Sequence, residues 1–253
     1  MIFVTGDIHG WTDIGKLNTD KFKVQKELSK SDTLIICGDF GLVWDEEESN
    51  EEKYWLDWLQ NKNFTTVFVD GNHENFNRLY SYPIAQWNGG MVHVIRPNIY
   101  HLMRGEVFNI EGKKIFAFGG ASSHDIQDGI LNIEDELTIY RYRAMRLQFR
   151  IRDVSWWEQE LPSWEEMKNG IENLKKVGYK VDFVISHCMP TSIQSMYSMG
   201  EYKKDKLTNY FESLLQDKEN PLEFTKWFSG HYHEDKEFLG KFRIIYDDII
   251  KIN

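Results

Sequence analysis

Short runs of β-branched and aromatic residues punctuate the chain, and many of them stop in the same way. Ile2 to Thr5 runs into Gly6-Asp7-Ile8-His9-Gly10, Thr33 to Cys37 into Gly38-Asp39, and Thr66 to Val69 into Asp70-Gly71-Asn72-His73-Glu74. Further on, Ile115 to Phe118 runs into Gly119-Gly120, Val181 to Ser186 into His187, and Trp227-Phe228-Ser229 into Gly230-His231-Tyr232-His233. Such runs read as buried strands. Between the early ones, Trp55, Leu56 and Leu59 fall on one helix face. Strands alternating with helices predict an α/β fold, in which ligands bind beyond the carboxyl ends of the strands. Asp, Asn and His recur at that position, beside glycines that let the backbone turn sharply or approach a bound group.

The middle of the chain differs. From about residue 122 to 180 the strand punctuation fades, and Arg141, Arg143, Arg146, Arg150 and Arg152 follow one another with no acidic residue until Asp153. This stretch reads as a mostly helical insertion near the cleft, a cap over the strand ends. The segment from Glu237 to Ile252 reads as two strands turning at Gly240-Lys241. There is no Gly/Ser/Pro-rich linker and no internal repeat, so residues 1–253 read as one domain with the insertion as a subregion.

A formal charge of −10 argues against broad, non-specific nucleic-acid binding but leaves room for a local basic site. Nine Trp residues supply apolar bulk for core and cleft walls. Cys37 and Cys188 lie outside any CxxC pattern and read as reduced, buried thiols. The N-terminus lacks the basic and long apolar regions of a signal peptide. No apolar run approaches the roughly 20 residues of a membrane helix. The expectation is a soluble, cytoplasmic protein with no membrane partner.

The candidate metal ligands are Asp7, His9, Asp39, Asn72, His187, His231 and His233. They offer oxygen and imidazole donors without thiolate, which suits Mn²⁺, Fe or Zn²⁺ in a non-structural site. Mn²⁺ is the first choice. Asp7 and His9, two residues apart, face the same way in an extended segment and can share an ion. His231 and His233 have the same spacing and can serve one ion together, or one ion each at a strand end. Asp39 is the natural bridge. Two ions roughly 3.5–4 Å apart hold a phosphate ester in line and lower the pKa of a bound water toward about 7. His73 is placed to act near the leaving oxygen.

With these motifs in this order, the chain resembles the calcineurin-like metallophosphoesterase superfamily, from Asp7 to His233. The resemblance implies a four-layer sandwich, two mixed β-sheets flanked by helices. It implies one ion held by Asp7, His9, Asp39 and His233, and a second held by Asp39, Asn72, His187 and His231. His73 would be the general acid or a phosphate contact. Protein Ser/Thr phosphatases and diadenosine tetraphosphatases keep an Asp three residues after the bridging one, then an Arg; Leu42 and Val43 stand there. The paired histidines look more like the phosphodiesterase and nucleotidase branches. Phosphate charge then falls to the arginines between Arg141 and Arg152, or to Arg78. His124 and Asp125 are candidates to reach the cleft, while Trp156-Trp157 and Cys188 read as packing. The implied activity is metal-dependent hydrolysis of phosphomonoesters or phosphodiesters, with a small-molecule phosphate ester or nucleotide as substrate. A nuclease of the same chemistry and a catalytically silent metal-binding scaffold are the alternatives.

Overall fold

The computed structural model describes residues 1–253. The first part of the chain forms β1 (Ile2–Thr5), β2 (Thr33–Ile36), α1 (Asn50–Gln60), β3 (Thr65–Phe68), α2 (Phe76–Leu79), β4 (Ile84–Trp87), β5 (Gly90–Arg96) and β6 (Ile99–Leu102). Next come β7 (Glu106–Ile110), β8 (Lys113–Phe118), β9 (Gly129–Leu131), α3 (Glu136–Ala144), β10 (Phe149–Ile151) and α4 (Trp164–Lys176). The last part forms β11 (Phe183–Ser186), α5 (Thr191–Ser198), α6 (Lys206–Gln216), β12 (Lys226–Ser229), β13 (Lys236–Phe238), β14 (Phe242–Ile244) and β15 (Ile249–Lys251).

The strands assemble into a seven-stranded sheet of order β15-β1-β2-β3-β6-β5-β4 and a six-stranded sheet of order β13-β14-β12-β11-β8-β7. Both are mixed: the central neighbours run parallel, and β15, β5, β4, β7 and β13 pair antiparallel. Alternation along each strand explains the layering, since successive side chains face opposite ways. Ile2, Val4 and Ile35 point into a core between the sheets, together with Ile185 and Phe228 of the second sheet. Phe3, Leu34 and Ile36 point outward to meet Leu56 and Leu59 of α1. On the far side, Val184 and Trp227 meet Leu174 of α4 and Phe211 of α6. The result is helices, sheet, sheet, helices, as the α/β sandwich reading required. The helix starts are equally local. Ser49 and Ser163 each form a capping box with the Glu three residues on.

Two segments differ from the sequence reading. The C-terminal stretch holds three short strands, and they divide between the sheets. β13 and β14 extend the second sheet, whereas β15 pairs with β1 at the edge of the first. The segment 122–180 contains α3 and α4 and also β9 and β10, which pair in parallel as a separate two-stranded ribbon. The weak apolar patterning of β9 and β10 hid them. No helix is long and apolar enough to cross a membrane.

Candidate metal centre

The loops after β1, β2 and β3 and those after β11 and β12 converge at one edge, because the two sheets present their parallel strands' carboxyl ends on the same side of the sandwich. This brings six of the seven sequence-selected donors into clusters, and the seventh, Asn72, adjoins them through its backbone N–H on Asp39. Asp7, His9 and His233 form one group, and Asp39, His187 and His231 form another, with ligand atoms within 4.8 Å of one another in each. His73 joins His9 and Asp39 in a third, central group. The two histidines of Gly230-His231-Tyr232-His233 thus point to different groups.

The backbone is bent to achieve this. His9, Asp39, His231 and His233 adopt φ values of 46°, 43°, 71° and 49°. Non-glycine residues rarely occupy this left-handed region, and such strain persists where surrounding structure enforces it. Glycines relieve the tightest approaches. A Cβ on Gly71 would lie 2.1 Å from Asp39 Oδ1, and one on Gly230 would lie 2.0 Å from Asp7 Oδ1.

Asp39 stands between the groups. Its Oδ2 is 3.3 Å from His9 Nε2, and its Oδ1 is 3.2 Å from His187 Nε2. The backbone N–H groups of Asn72 and His73 donate to Oδ1 at 2.8 and 3.0 Å. Burial opposes charge on Asp39, but the surrounding His187 and His73 prevail and hold its carboxyl well below the usual range. In the first group, His233 Nε2 is 3.3 Å from Asp7 Oδ2, and the His231 N–H donates to both Asp7 oxygens at 3.0 and 3.1 Å. Burial disfavours the charged forms of His187 and His9, yet Asp39 and Asp7 push them up to about 10 and about 9. His73 moves the other way: burial, aided by nearby Arg150, lowers it.

Neighbouring groups fix the ring orientations. His187 Nδ1 donates to the Cys37 carbonyl at 2.8 Å, which directs Nε2 into the site. His9 Nδ1 is 2.7 Å from Asp13 Oδ2, an imidazole–carboxylate arrangement typical around metal-binding histidines. Tyr246 stacks on His233 at 4.9 Å and Trp44 on His73 at 5.6 Å. Glu74 accepts the N–H groups of Phe40 and Gly71, both at 2.7 Å, tying the loop after β2 to the loop after β3. Burial pushes its carboxyl up to about 8, with Asp39 and Asp70 adding to the effect.

The donors fit a pair of divalent cations. Asn72 Oδ1 and His187 Nε2 are buried without a hydrogen-bond partner, and buried polar atoms are rarely left so. His187 belongs to the second group, and Asn72 is tied to it through its N–H on Asp39 Oδ1, so an electrophile there would meet unpaired donors. The set is oxygen and imidazole throughout, as Mn²⁺, Fe or Zn²⁺ prefer.

Of the other sequence candidates, Arg78 does not reach the site; Glu52 Oε2 and the Asp45 carbonyl hold it at 2.7 Å each. Arg141, Arg143, Arg146 and Arg152 are exposed, and only Arg150 turns inward, to within 3.3 Å of His73 Nε2. His124 flanks His231 at 4.5 Å between ring centres. Trp157 is fully buried and packs on Trp44, and Cys188 faces the second apolar core, so both serve packing as expected. Both cysteines are free and buried. Sequence reasoning missed Asp13, whose spacing of four from His9 was the available signal. It also missed the Asp70–Arg104–His101 cluster beneath the Asn72 loop, for which no local pattern exists.

Comparison with known proteins agrees with this geometry. Lariat debranching enzyme A of Xenopus laevis is 25% identical over 256 residues, covering 92% of this chain and 42% of its own length. The lariat debranching enzyme of Homo sapiens is 26% identical over 228 residues, covering 80% and 36%, and that of Schizosaccharomyces pombe is 24% identical over 235 residues, covering 85% and 45%. The chain therefore spans less than half the length of these curated relatives. No solved structure gives a significant match. The calcineurin-like phosphoesterase family profile matches residues 1–235, which takes in every donor from Asp7 to His233. Strand-end donors, sandwich and profile coincide, and the chain is a member of the calcineurin-like phosphoesterase family.

Proposed function

We propose that the protein is a dinuclear phosphodiesterase. Asp7, His9, Asp39 and His233 would hold one ion, and Asp39, Asn72, His187 and His231 the other, with Mn²⁺ the first choice. The observation that carries this reading is the position of Asp39, whose two oxygens face imidazoles of opposite groups at 3.3 and 3.2 Å. Held by these residues, two divalent cations would supply Lewis-acid activation for in-line displacement at a phosphate ester.

The protein's own residues supply the rest. His73 lies between the metal groups and Arg150, where it can contact a phosphoryl or leaving-group oxygen. Trp44 and the Asp39 contact to its backbone keep it there. Cavities of about 490 Å³ and about 680 Å³ adjoin the centre on two sides. One is walled by Trp11, Trp44 and Tyr246, the other by His124, Tyr202 and His231. A monoester has one organic arm to accommodate, whereas a diester has two, and this favours the diester. The relatives' name points the same way, since debranching a lariat is phosphodiester chemistry. Segment 122–180 contributes Arg150 beside His73 and Trp157 against Trp44, which supports reading it as a wall of the same domain. A cytoplasmic setting accords with the two free, buried cysteines.

The test is turnover by Mn²⁺-reconstituted protein on bis(4-nitrophenyl) phosphate and on 4-nitrophenyl phosphate. The expected kcat/KM is at least about tenfold higher for the diester. A preference for the monoester overturns the diester reading, and absence of turnover on both favours the silent scaffold. Cleavage of nucleic acid is the second reading, which the relatives favour. A branched and a linear oligonucleotide compared across a salt series would distinguish site-directed cleavage from broad electrostatic binding, which the −10 charge disfavours.

A further inference from the structure

We propose that Arg150, brought in by β10 of the central segment, binds the phosphoryl charge of the substrate through a guanidinium N–H left free for it. The inference rests on the phosphoesterase reading above and names the residue that meets the substrate's charge.

The other cations near the site are committed elsewhere. Arg78 is held by Glu52 and Asp45, and Arg104 by Asp70. Lys16 is buried, and its ammonium donates to the carbonyls of Gly6, Asp7 and Tyr246. Leu42 and Val43 are fully buried in the apolar core, so the loop after β2 offers no charge.

Arg150 is placed differently. Its side chain is 8% exposed and its Nη2 lies 3.3 Å from His73 Nε2, at the edge of the central donor group. A guanidinium carries five N–H donors. Nε forms an ion pair with Asp125 Oδ1 at 2.6 Å. Nη1 donates to the carbonyls of Asn72 and Ser155, both at 3.1 Å. One Nη2–H points to His73, and the remaining one has no partner. That arrangement leaves a fixed, charged donor beside His73, where a phosphate oxygen would lie; Arg is well suited to such contacts.

Two carboxylates sit on the far side of the guanidinium from His73, at Nε and Nη1, and leave Nη2 unpaired by charge. Asp125 is 54% exposed, so solvent screens it. Glu160 Oε1 is 3.5 Å from Nη1, but burial pushes that carboxyl up to about 8, and its other oxygen accepts from Ser123. Asp125 is thus a positioning residue: it aligns Arg150 without reaching the reacting atoms.

The experiment uses the full chain loaded with Mn²⁺, in three variants: Arg150→Met, Arg150→Lys and Asp125→Asn. Inorganic phosphate is titrated calorimetrically into each, Mn²⁺ stoichiometry is measured, and KM and kcat are determined on bis(4-nitrophenyl) phosphate. The expected loss of phosphate affinity is about 10- to 100-fold in R150M, the range for a lost hydrogen bond to a charged group. R150K should recover part of that loss, because charge remains while the fork geometry does not. D125N should weaken phosphate binding by about two- to fivefold, as an indirect contact would. Metal stoichiometry should match the wild type throughout. Phosphate affinity within twofold of wild type in Mn²⁺-loaded R150M overturns the inference. If R150M does not fold, D125N decides, and unchanged phosphate affinity together with unchanged KM overturns it. The phosphate titration reads Arg150 even if the wild type hydrolyses neither ester, an outcome that would overturn only the proposed reaction.

Discussion

The two halves of the donor cluster use the same chemistry in different surroundings. In the Asp7–His9–His233 half, the His233 side chain is 53% exposed and His9 is 16% exposed. In the Asp39–His187–His231 half, His187 is fully buried and Asp39 is 3% exposed. Imidazole and carboxylate in a dry, rigid setting interact more strongly than the same pair near water. On the proposed dinuclear reading, the buried half would retain an ion more tightly, and the open half would admit water and substrate. Chemistry of donors alone does not make this distinction; the depth of each strand end does.

The broadest way to break the comparison is to remove what the halves share. Asp39→Ala should weaken Mn²⁺ binding at both by more than about 100-fold, since even partners of ligands are worth about 10–100-fold. Calorimetric titration would show two steps lost together, and loss of only one would contradict a bridging Asp39. Beneath the buried half, Arg104 donates to Asp70 Oδ2 at 3.0 Å and His101 contacts Oδ1 at 2.9 Å, all fully or nearly fully buried. Asp70→Asn breaks that buried pair and should lower stability by about 3–5 kcal/mol in urea unfolding.

A finer test removes one histidine from each half. His187→Ala should lose one ion and also about 1–3 kcal/mol of stability, because the buried Cys37 carbonyl is left unpaired. His233→Ala should lose the other ion and melt like the wild type. Equal thermal shifts would erase the proposed asymmetry. The smallest effect is expected of Asp13→Asn, which should weaken the open half alone by about tenfold and leave the tighter Mn²⁺ step unchanged.

Much of the site was legible because its signals are local. A strand run, a glycine and an Asp, Asn or His lie within a few residues of each other, and each strand end repeats the pattern. The runs ending at Thr5, Cys37, Ser186 and Ser229 all proved to be strands or their immediate ends. The meander from β4 to β7 carried no such punctuation and passed unread, and β15 looked like part of a hairpin until it crossed to β1. Arg150 was one of five similar arginines. Nothing in its neighbours along the chain marks it as the one that turns inward.

By itself, then, the sequence determined the alternation of elements, the candidate donors and the family their motifs signal, because strand periodicity and strand-end turns depend on adjacent residues. Spacing left open whether His231 and His233 serve one ion or two, and the tertiary structure gathers the candidates into separate groups. His231 and His233 part company because left-handed backbone at both residues turns their rings to opposite groups. Asp39 meets His9 because β1 and β2 are parallel neighbours, and it meets His187 because the second sheet packs face to face on the first through Ile2, Val4, Ile185 and Phe228. The contacts between the sheets, that of Asp39 with His187 included, join residues more than a hundred positions apart, and burial of apolar surface, rather than any local pattern, brings them together.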